Sequence, residues 1–175
     1  EEDSDISQIL QTMPMWNSNG RAMLPLKENW AEQIEELKSF HKTNGYGMFA
    51  KFVAFTWRNE EFVPITAIDP IRLTDLKNYE VQRSKVVDNT VAFLSDLPAN
   101  NVLLYGERGT GKSSTVHAIL NEYKNQGLRM IEISKGDIND LTMIRERIAG
   151  SPMKFIIFID DLSFDNHDDS FGELK

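Results

Sequence analysis

The sequence contains no cysteine and no long apolar run, and each shortage excludes a class of protein. Without cysteine there is neither a disulfide framework nor a thiolate metal site. The apolar runs are much shorter than the roughly 20 residues that cross a bilayer, and no secretory signal opens the chain. We therefore expect a cytoplasmic protein with an ordinary hydrophobic core.

An excess of positive charge is also missing. The 175 residues carry 27 acidic and 19 basic side chains, for a net charge of −8. The net charge therefore does not support sequence-independent binding of nucleic acid, but it does not exclude a local basic patch. A hydrophobic content of 41% is enough for the core of one domain or one and a half.

The feature that carries most information is a glycine-rich stretch between two predicted elements. The pattern GxxxxGK followed by Ser or Thr is met by Gly106, Gly111, Lys112 and Ser113. A strand-like run, Val102 to Tyr105, precedes it, and a helical pattern from Thr115 to Lys124 follows it. Strand, loop and helix in this order are the context that a P-loop requires.

The residue types in this loop suit a phosphate ligand. Glycines let the backbone turn sharply and bring its amides close to an anion, and the start of the following helix adds its free amides. Lys112 would contact the β and γ phosphates, and the Ser113 hydroxyl would bind Mg²⁺. The expected cofactors are ATP and Mg²⁺, and the predicted phosphate-binding residues are Gly106, Glu107, Arg108, Gly109, Thr110, Gly111, Lys112, Ser113 and Ser114.

The second half of the site is predicted at the end of another apolar run. Residues 155–161, FIIFIDD, end in Asp160 and Asp161. The carboxyl ends of parallel strands line the ligand crevice, so Asp160 is expected near the P-loop as a Mg²⁺ partner opposite Ser113. Asp161 is the candidate catalytic base. His41 and His117 fall on predicted helices and receive no chemical role.

The element order predicts an α/β fold with a parallel sheet and helices on both faces. Residues 1–67 form an amino-terminal segment with a predicted β-hairpin, and residues 68–175 form the ATP-binding core. The aromatic residues at 49, 52, 55 and 57 are read as core packing rather than as a base-stacking surface. In chain order the predicted elements are helices over 6–13 and 30–40, strands over 49–57 and 62–66, a helix over 79–97, a strand over 102–105, a helix over 115–124, a strand over 128–133, a helix over 137–149 and a strand over 154–159.

These motifs resemble those of the AAA+ ATPases. GERGTGKS is similar to their Walker A loop, including a glycine at Gly109, and FIIFIDD is similar to their Walker B motif. Together with DPIRLTDLKNYEVQ, LPANNVLLYGERGTGKSS and LRMIEI, they resemble a prokaryotic family of predicted AAA-like ATP-binding proteins classed as a domain of unknown function. The resemblance covers roughly residues 49–175.

The resemblance implies an ATP-binding core, ATP hydrolysis and assembly into a homo-oligomer. It places adenine near Leu76 and Tyr79, although Lys77 and Asn78 replace the Ile and Gly that are frequent there. Most AAA+ proteins carry glutamate at the position of Asp161, so the role of this shorter side chain stays open. In AAA+ sheets the next strand inserts between the Walker B strand and the P-loop strand. That strand, the sensor, the arginine finger and the lid are expected beyond Lys175.

These residues are compatible with three alternative functions. The first is an AAA+-like ATPase that remodels or loads a partner, and the second is a nucleotide-gated module with little turnover. The third is a P-loop kinase for a small molecule, in which the Walker B strand would lie beside the P-loop strand. Gly109 and the paired acids Asp160 and Asp161 favour the ATPase. The sequence identifies no protein partner.

Overall fold

The computed structural model describes residues 30–160 of the chain. Its contacts divide the chain into two compact units, Glu1–Ile34 and Glu35–Lys175. In the first unit the described residues include a 3₁₀ helix, Trp30–Gln33. The helix predicted over residues 6–13, and Asp161 with the residues after it, lie outside the described part.

The second unit is built on a four-stranded sheet. Its strands are β1 (Ala54–Arg58), β2 (Glu61–Pro64), β3 (Leu128–Ile133) and β4 (Lys154–Ile159), in the spatial order β2-β1-β3-β4. Strands β1, β3 and β4 are parallel, whereas β2 runs antiparallel to β1. The α/β class is therefore confirmed, and β3 and β4 pair in parallel as predicted. The sheet as a whole is mixed, because the predicted hairpin joins it instead of forming part of a separate amino-terminal segment.

The predicted hairpin forms, and it joins the same sheet as β3 and β4. Asn59 and Glu60 connect its strands with φ angles of 50° and 60°, as expected for a two-residue turn that follows the twist of the strands. Arg58 pairs with Glu61 and Phe55 with Pro64. The sheet therefore runs across the boundary that the sequence suggested between residues 67 and 68.

Within residues 30–160 five α-helices accompany the sheet, and one of them replaces part of a predicted strand. Phe49 lies in a short helix rather than in β1, and Gly45 and Gly47 turn the chain with φ angles of 81° and 58° just before it. None of the helices in residues 30–160 is long and apolar enough to cross a membrane. The helices are α1 (Ile34–Asn44), α2 (Gly47–Lys51), α3 (Glu80–Leu94), α4 (Lys112–Tyr123) and α5 (Leu141–Ile148), with short 3₁₀ helices at Leu73–Asp75, Lys124–Gln126 and Lys135–Asp140.

The strand predicted just before the P-loop does not form. Residues 102–105 are not among the four strands of the described sheet, and Val102, Leu103 and Tyr105 are 48%, 68% and 89% exposed. A strand needs a hydrogen-bonded neighbour. Within residues 30–160 this segment is hydrogen-bonded to none of the four strands, so it lacks the neighbour that a strand requires.

Apolar residues fill both faces of the sheet. On one face, Leu128 and Met130 of β3 pack with Ile119 and Leu120 of α4. On the other face, Ile131 and Ile133 pack with Trp57 and with Ile144 of α5. Helices on both faces, as predicted, therefore enclose the sheet.

The aromatic residues around β1 form core, as the sequence indicated. Phe55 and Trp57 are almost fully buried, and Phe49 is 8% exposed. Phe49 makes edge-to-face contacts with Phe55 and Phe155, at ring-centre distances of 5.2 and 5.0 Å, a geometry that aromatic pairs favour. These faces are unavailable for stacking on bases.

Candidate nucleotide-binding site

The P-loop has the backbone conformation that its glycines allow. Gly106, Gly109 and Gly111 have φ angles of 141°, 82° and 84°. Residues with a Cβ atom rarely adopt such values. A Cβ built on Gly109 or Gly111 would meet nothing within 4 Å. The backbone angle, rather than crowding, is therefore what requires glycine at these two positions.

The side chain of Lys112 folds back over the preceding loop residues. Its Nζ donates hydrogen bonds to the carbonyl oxygens of Gly106 and Glu107, at 3.0 and 2.9 Å. The Thr110 hydroxyl donates to the same Glu107 carbonyl at 2.9 Å. These bonds hold one positive charge at the loop, where phosphate oxygens could replace the carbonyls as its acceptors.

Helix α4 begins directly behind the loop, at Lys112. Its first turn is fixed by Thr115, whose backbone amide and hydroxyl both donate to the carbonyl of Gly111, at 2.9 and 2.8 Å. The first amides of a helix have no partner within the helix, and the helix dipole favours an anion beside them. Ser113 and Ser114 belong to this turn.

The two predicted halves of the site meet in the structure. Asp160 directly follows β4, and its carboxylate accepts hydrogen bonds from the Ser113 hydroxyl at 3.0 and 3.1 Å. The two residues are 47 positions apart in the chain, so the fold brings them together. Asp160 is exposed at this point.

The donor set fits ATP and Mg²⁺. A serine hydroxyl and a carboxylate supply hard oxygen ligands, and Mg²⁺ commonly takes only one or two protein ligands together with phosphate oxygens and water. Residues 30–160 contain no cluster of three or more acidic or histidine side chains that would form a metal cage by itself. Ser113 and Asp160 would hold Mg²⁺, which would neutralise phosphate charge.

The residues expected to contact adenine are Leu76 and Tyr79, and their role is still a prediction. The chain that leads to them is tied to helix α4 by the Asn121 side chain, which donates to the carbonyls of Asp69 and Ile71 at 2.7 and 3.0 Å. Leu76 is half-buried, and Tyr79, with a left-handed φ of 58°, is 55% exposed. Glu107 and Arg108 of the loop are exposed as well.

A polar groove of about 550 Å³ lies near the other end of α4. Its walls contain none of the P-loop residues; they are Thr66, Ile68, Pro70, Arg72, Asn121, Glu122 and Lys124. The groove is therefore separate from the candidate site formed by the loop and Asp160.

One polar pair near the site was not expected from the sequence. His117 Nε2 on α4 lies 3.4 Å from Glu132 Oε1 on β3. The available signal was the spacing of four residues between Ser113 and His117, which places both on one face of the helix. The sequence does not show that Glu132 is opposite that face.

Two comparisons relate the chain to known proteins. A family model described as "Protein of unknown function (DUF815)" matches residues 50–175. A curated relative, "Probable mitochondrial chaperone BCS1-A" of Dictyostelium discoideum, is 31% identical over 99 residues, which are 50% of this chain and 23% of the relative. The chain thus spans about a quarter of that relative's length. No solved structure matches the chain.

Proposed function

The chain belongs to the family described as "Protein of unknown function (DUF815)", and from this premise we propose that it binds ATP and is a Mg²⁺-dependent AAA+-like ATPase. The similarity to the curated relative is consistent with an AAA+-like relationship. Binding and hydrolysis would be coupled to the remodelling or loading of a partner.

The hydrogen bond between Ser113 and Asp160 is the observation that carries this proposal. Either motif alone has an ordinary structural explanation, since glycine-rich turns and acidic strand ends are both common. Their contact at 3.0 Å joins a phosphate-binding loop to a carboxylate, as ATP with bound Mg²⁺ requires. Lys112 adds a positive charge at the same loop.

In the proposed reaction, Asp161 orients a water molecule and accepts its proton as the oxygen attacks the γ phosphorus. The bond from that phosphorus to the oxygen bridging the β and γ phosphates breaks, which releases ADP and inorganic phosphate. Lys112 and the first amides of α4 face the charge that develops on the phosphate oxygens. Mg²⁺, when bound, supplies further charge neutralisation.

Two sequence features favour an ATPase over a P-loop kinase. They are the additional glycine at Gly109 and the paired acids Asp160 and Asp161. The proposed partner is another protein, in agreement with the word chaperone in the relative's name. We further propose that the complete protein forms a homo-oligomer.

A combined binding and turnover experiment tests the proposal. ATP is titrated with and without Mg²⁺ into the protein and its Lys112→Ala and Asp161→Asn variants, and phosphate release is measured in parallel. Lys112→Ala should weaken ATP binding by at least about tenfold, because a charge-assisted contact is lost. Asp161→Asn should bind ATP normally and lose turnover, because the base is gone.

Lys85→Ala is the matched control, since Lys85 is an exposed lysine on α3, and it should change neither quantity. If the protein binds no ATP, or if Lys112→Ala binds as well as Lys85→Ala, the proposal is wrong. Binding without phosphate release, unchanged in Asp161→Asn, would instead identify a nucleotide-gated module.

A further inference from the structure

Helix α4 has polar contacts with the sheet at two successive levels. At its first turn Ser113 donates to Asp160 beyond the end of β4, at 3.0 Å. One turn later, His117 Nε2 lies 3.4 Å from Glu132 Oε1 on β3. The sequence assigned chemistry only to the first of these contacts.

The two levels lie on the same side of the sheet and follow one another along it. Ser113 and His117 are four residues apart and share a helix face. In the β3–β4 register Glu132 is paired with Phe158, and Asp160 follows Phe158 by two residues, just beyond the end of β4. The His117 and Phe158 rings meet edge to face with their centres 6.1 Å apart.

The burial of His117 Nε2 determines which atom donates in its contact with Glu132. The His117 side chain is 24% exposed and that of Glu132 34%, while Nε2 itself is buried and has no hydrogen bond of full geometry. A buried ring nitrogen facing a carboxylate is favourable when it carries a proton and unfavourable when it presents a lone pair. The pair is thus attractive with Nε2 as the donor.

We infer that His117 and Glu132 are a positioning pair for Ser113, an inference that rests on the function proposed above. The pair fixes the rotation and height of α4 against the sheet one turn behind the nucleotide site. It thereby keeps the Ser113 hydroxyl beside Asp160, where the two would hold Mg²⁺. Neither His117 nor Glu132 would touch the nucleotide.

The test separates the Mg²⁺-dependent part of ATP binding from the rest. Dissociation constants for ATP are measured with Mg²⁺ and with EDTA, and their ratio is compared among variants. His117→Leu removes the donor and should lower the Mg²⁺ gain by about tenfold, the size of a coupling between neighbouring groups. His117→Gln can place a donor near the position of Nε2, and should keep the gain within about threefold of the parent.

Glu132→Leu removes the acceptor and should lower the gain as much as His117→Leu. The double variant should be no worse than either single change by more than about twofold, because both changes break one contact. His41→Leu is the matched control, since the His41 ring nitrogen Nδ1 lies 3.0 Å from the Gly45 carbonyl oxygen and lies outside the site. It should leave the gain unchanged.

A second measurement needs no nucleotide. Amide hydrogen exchange of the peptide covering residues 111–120 should be faster in His117→Leu than in His117→Gln or His41→Leu. If His117→Leu matches His41→Leu in both measurements, or if Glu132→Leu keeps the full Mg²⁺ gain, the inference is wrong. Failure of Lys112→Ala to weaken ATP binding would overturn the proposed function itself, so the two failures are distinguishable.

Discussion

At the scale of single residues, the loop glycines act through their backbone angles. Gly109 has a φ of 82° and open space where a Cβ would lie, so Gly109→Ala introduces no clash but holds alanine in a left-handed conformation that costs about 1 to 2 kcal/mol. We expect the loop to relax and ATP affinity to fall about tenfold, which calorimetric titration would measure.

Gly136→Ala provides the control for this change. Gly136 is not among the positive-φ residues, and a Cβ there would meet the Ser134 hydroxyl at an ordinary 3.6 Å. Its ATP affinity should match that of the parent. Equal affinities for Gly109→Ala and Gly136→Ala would contradict the conformational argument.

Arg129 is the buried residue with the most evident structural role. It is 5% exposed, and its guanidinium donates to the carbonyls of Phe49, Leu128 and Lys124 at 2.7, 2.8 and 3.0 Å. Arg129→Met would remove these three hydrogen bonds and should lower the free energy of unfolding by about 3 kcal/mol. Urea denaturation followed by tryptophan fluorescence measures that loss.

The exposed Arg145 on α5 is the comparison, and Arg145→Met should change the free energy of unfolding by less than about 0.5 kcal/mol. Similar losses for the two variants would show that Arg129 stabilises nothing beyond an ordinary surface arginine.

Sequence reasoning named candidate residues where a local pattern has a chemical signature, and the roles of these residues stay predictions. Lys112, Ser113 and Asp160 were predicted because a glycine loop and an acidic strand end each have a chemical signature. The Ser113–Asp160 contact at 3.0 Å agrees with that prediction. Arg129 and His117 have no such signature, since Phe49 and Glu132, their respective partners, lie on other elements and only the tertiary fold brings them near.

At the scale of elements, a pair of amides holds the chain that leads into the loop. Asn89 Nδ2 donates to the Asn100 carbonyl, and the Asn100 amide donates back to Asn89 Oδ1, both at 2.9 Å. This clasp joins α3 to the segment before residues 102–105. Asn89→Ala removes both bonds, so that the segment should be released at a cost of roughly 1 to 2 kcal/mol.

Limited chymotrypsin digestion measures the release, because Leu103 and Tyr105 are exposed cleavage sites. Cleavage there should be several times faster in Asn89→Ala than in Asn125→Ala, whose side chain is exposed on the 3₁₀ helix Lys124–Gln126. Equal cleavage rates would mean that the clasp does not hold the segment.

Element prediction failed where pairing partners decide the outcome. Val102 to Tyr105 has strand composition, yet residues 102–105 are unpaired in the described sheet. Phe49 has a strand-forming side chain but lies in α2 because its ring fills the space between Phe55 and Phe155. In both places tertiary contacts override local propensity.

At the scale of the whole molecule, the order of strands and helices in the sequence predicted the α/β layers, but it did not predict which strand the hairpin would pair with. Alternating strands and helices implied α/β layers with helices on both faces. That β1 would pair with β3, across more than 60 intervening residues, is not written in any local pattern, because register over such distances is set by the assembled core.

The overall charge gives a further prediction. With a net charge of −8 and with Phe55 and Trp57 buried, the protein has neither a bulk attraction for phosphates nor an aromatic platform on β1. We expect no binding of labelled single-stranded DNA tighter than about 100 µM at physiological salt, measured by fluorescence anisotropy. Tighter, salt-dependent binding would reveal a local basic patch and contradict this expectation.

The most direct test of the account is the Mg²⁺ dependence of ATP binding in Ser113→Ala and Asp160→Asn, because these residues join the two halves of the site. Each change should reduce the Mg²⁺-dependent gain in affinity by about tenfold or more, since each removes a hard oxygen ligand, while binding in EDTA stays within about twofold. Ser84→Ala on α3 should behave as the parent. Full retention of the Mg²⁺ gain in both site variants would contradict the proposed nucleotide site.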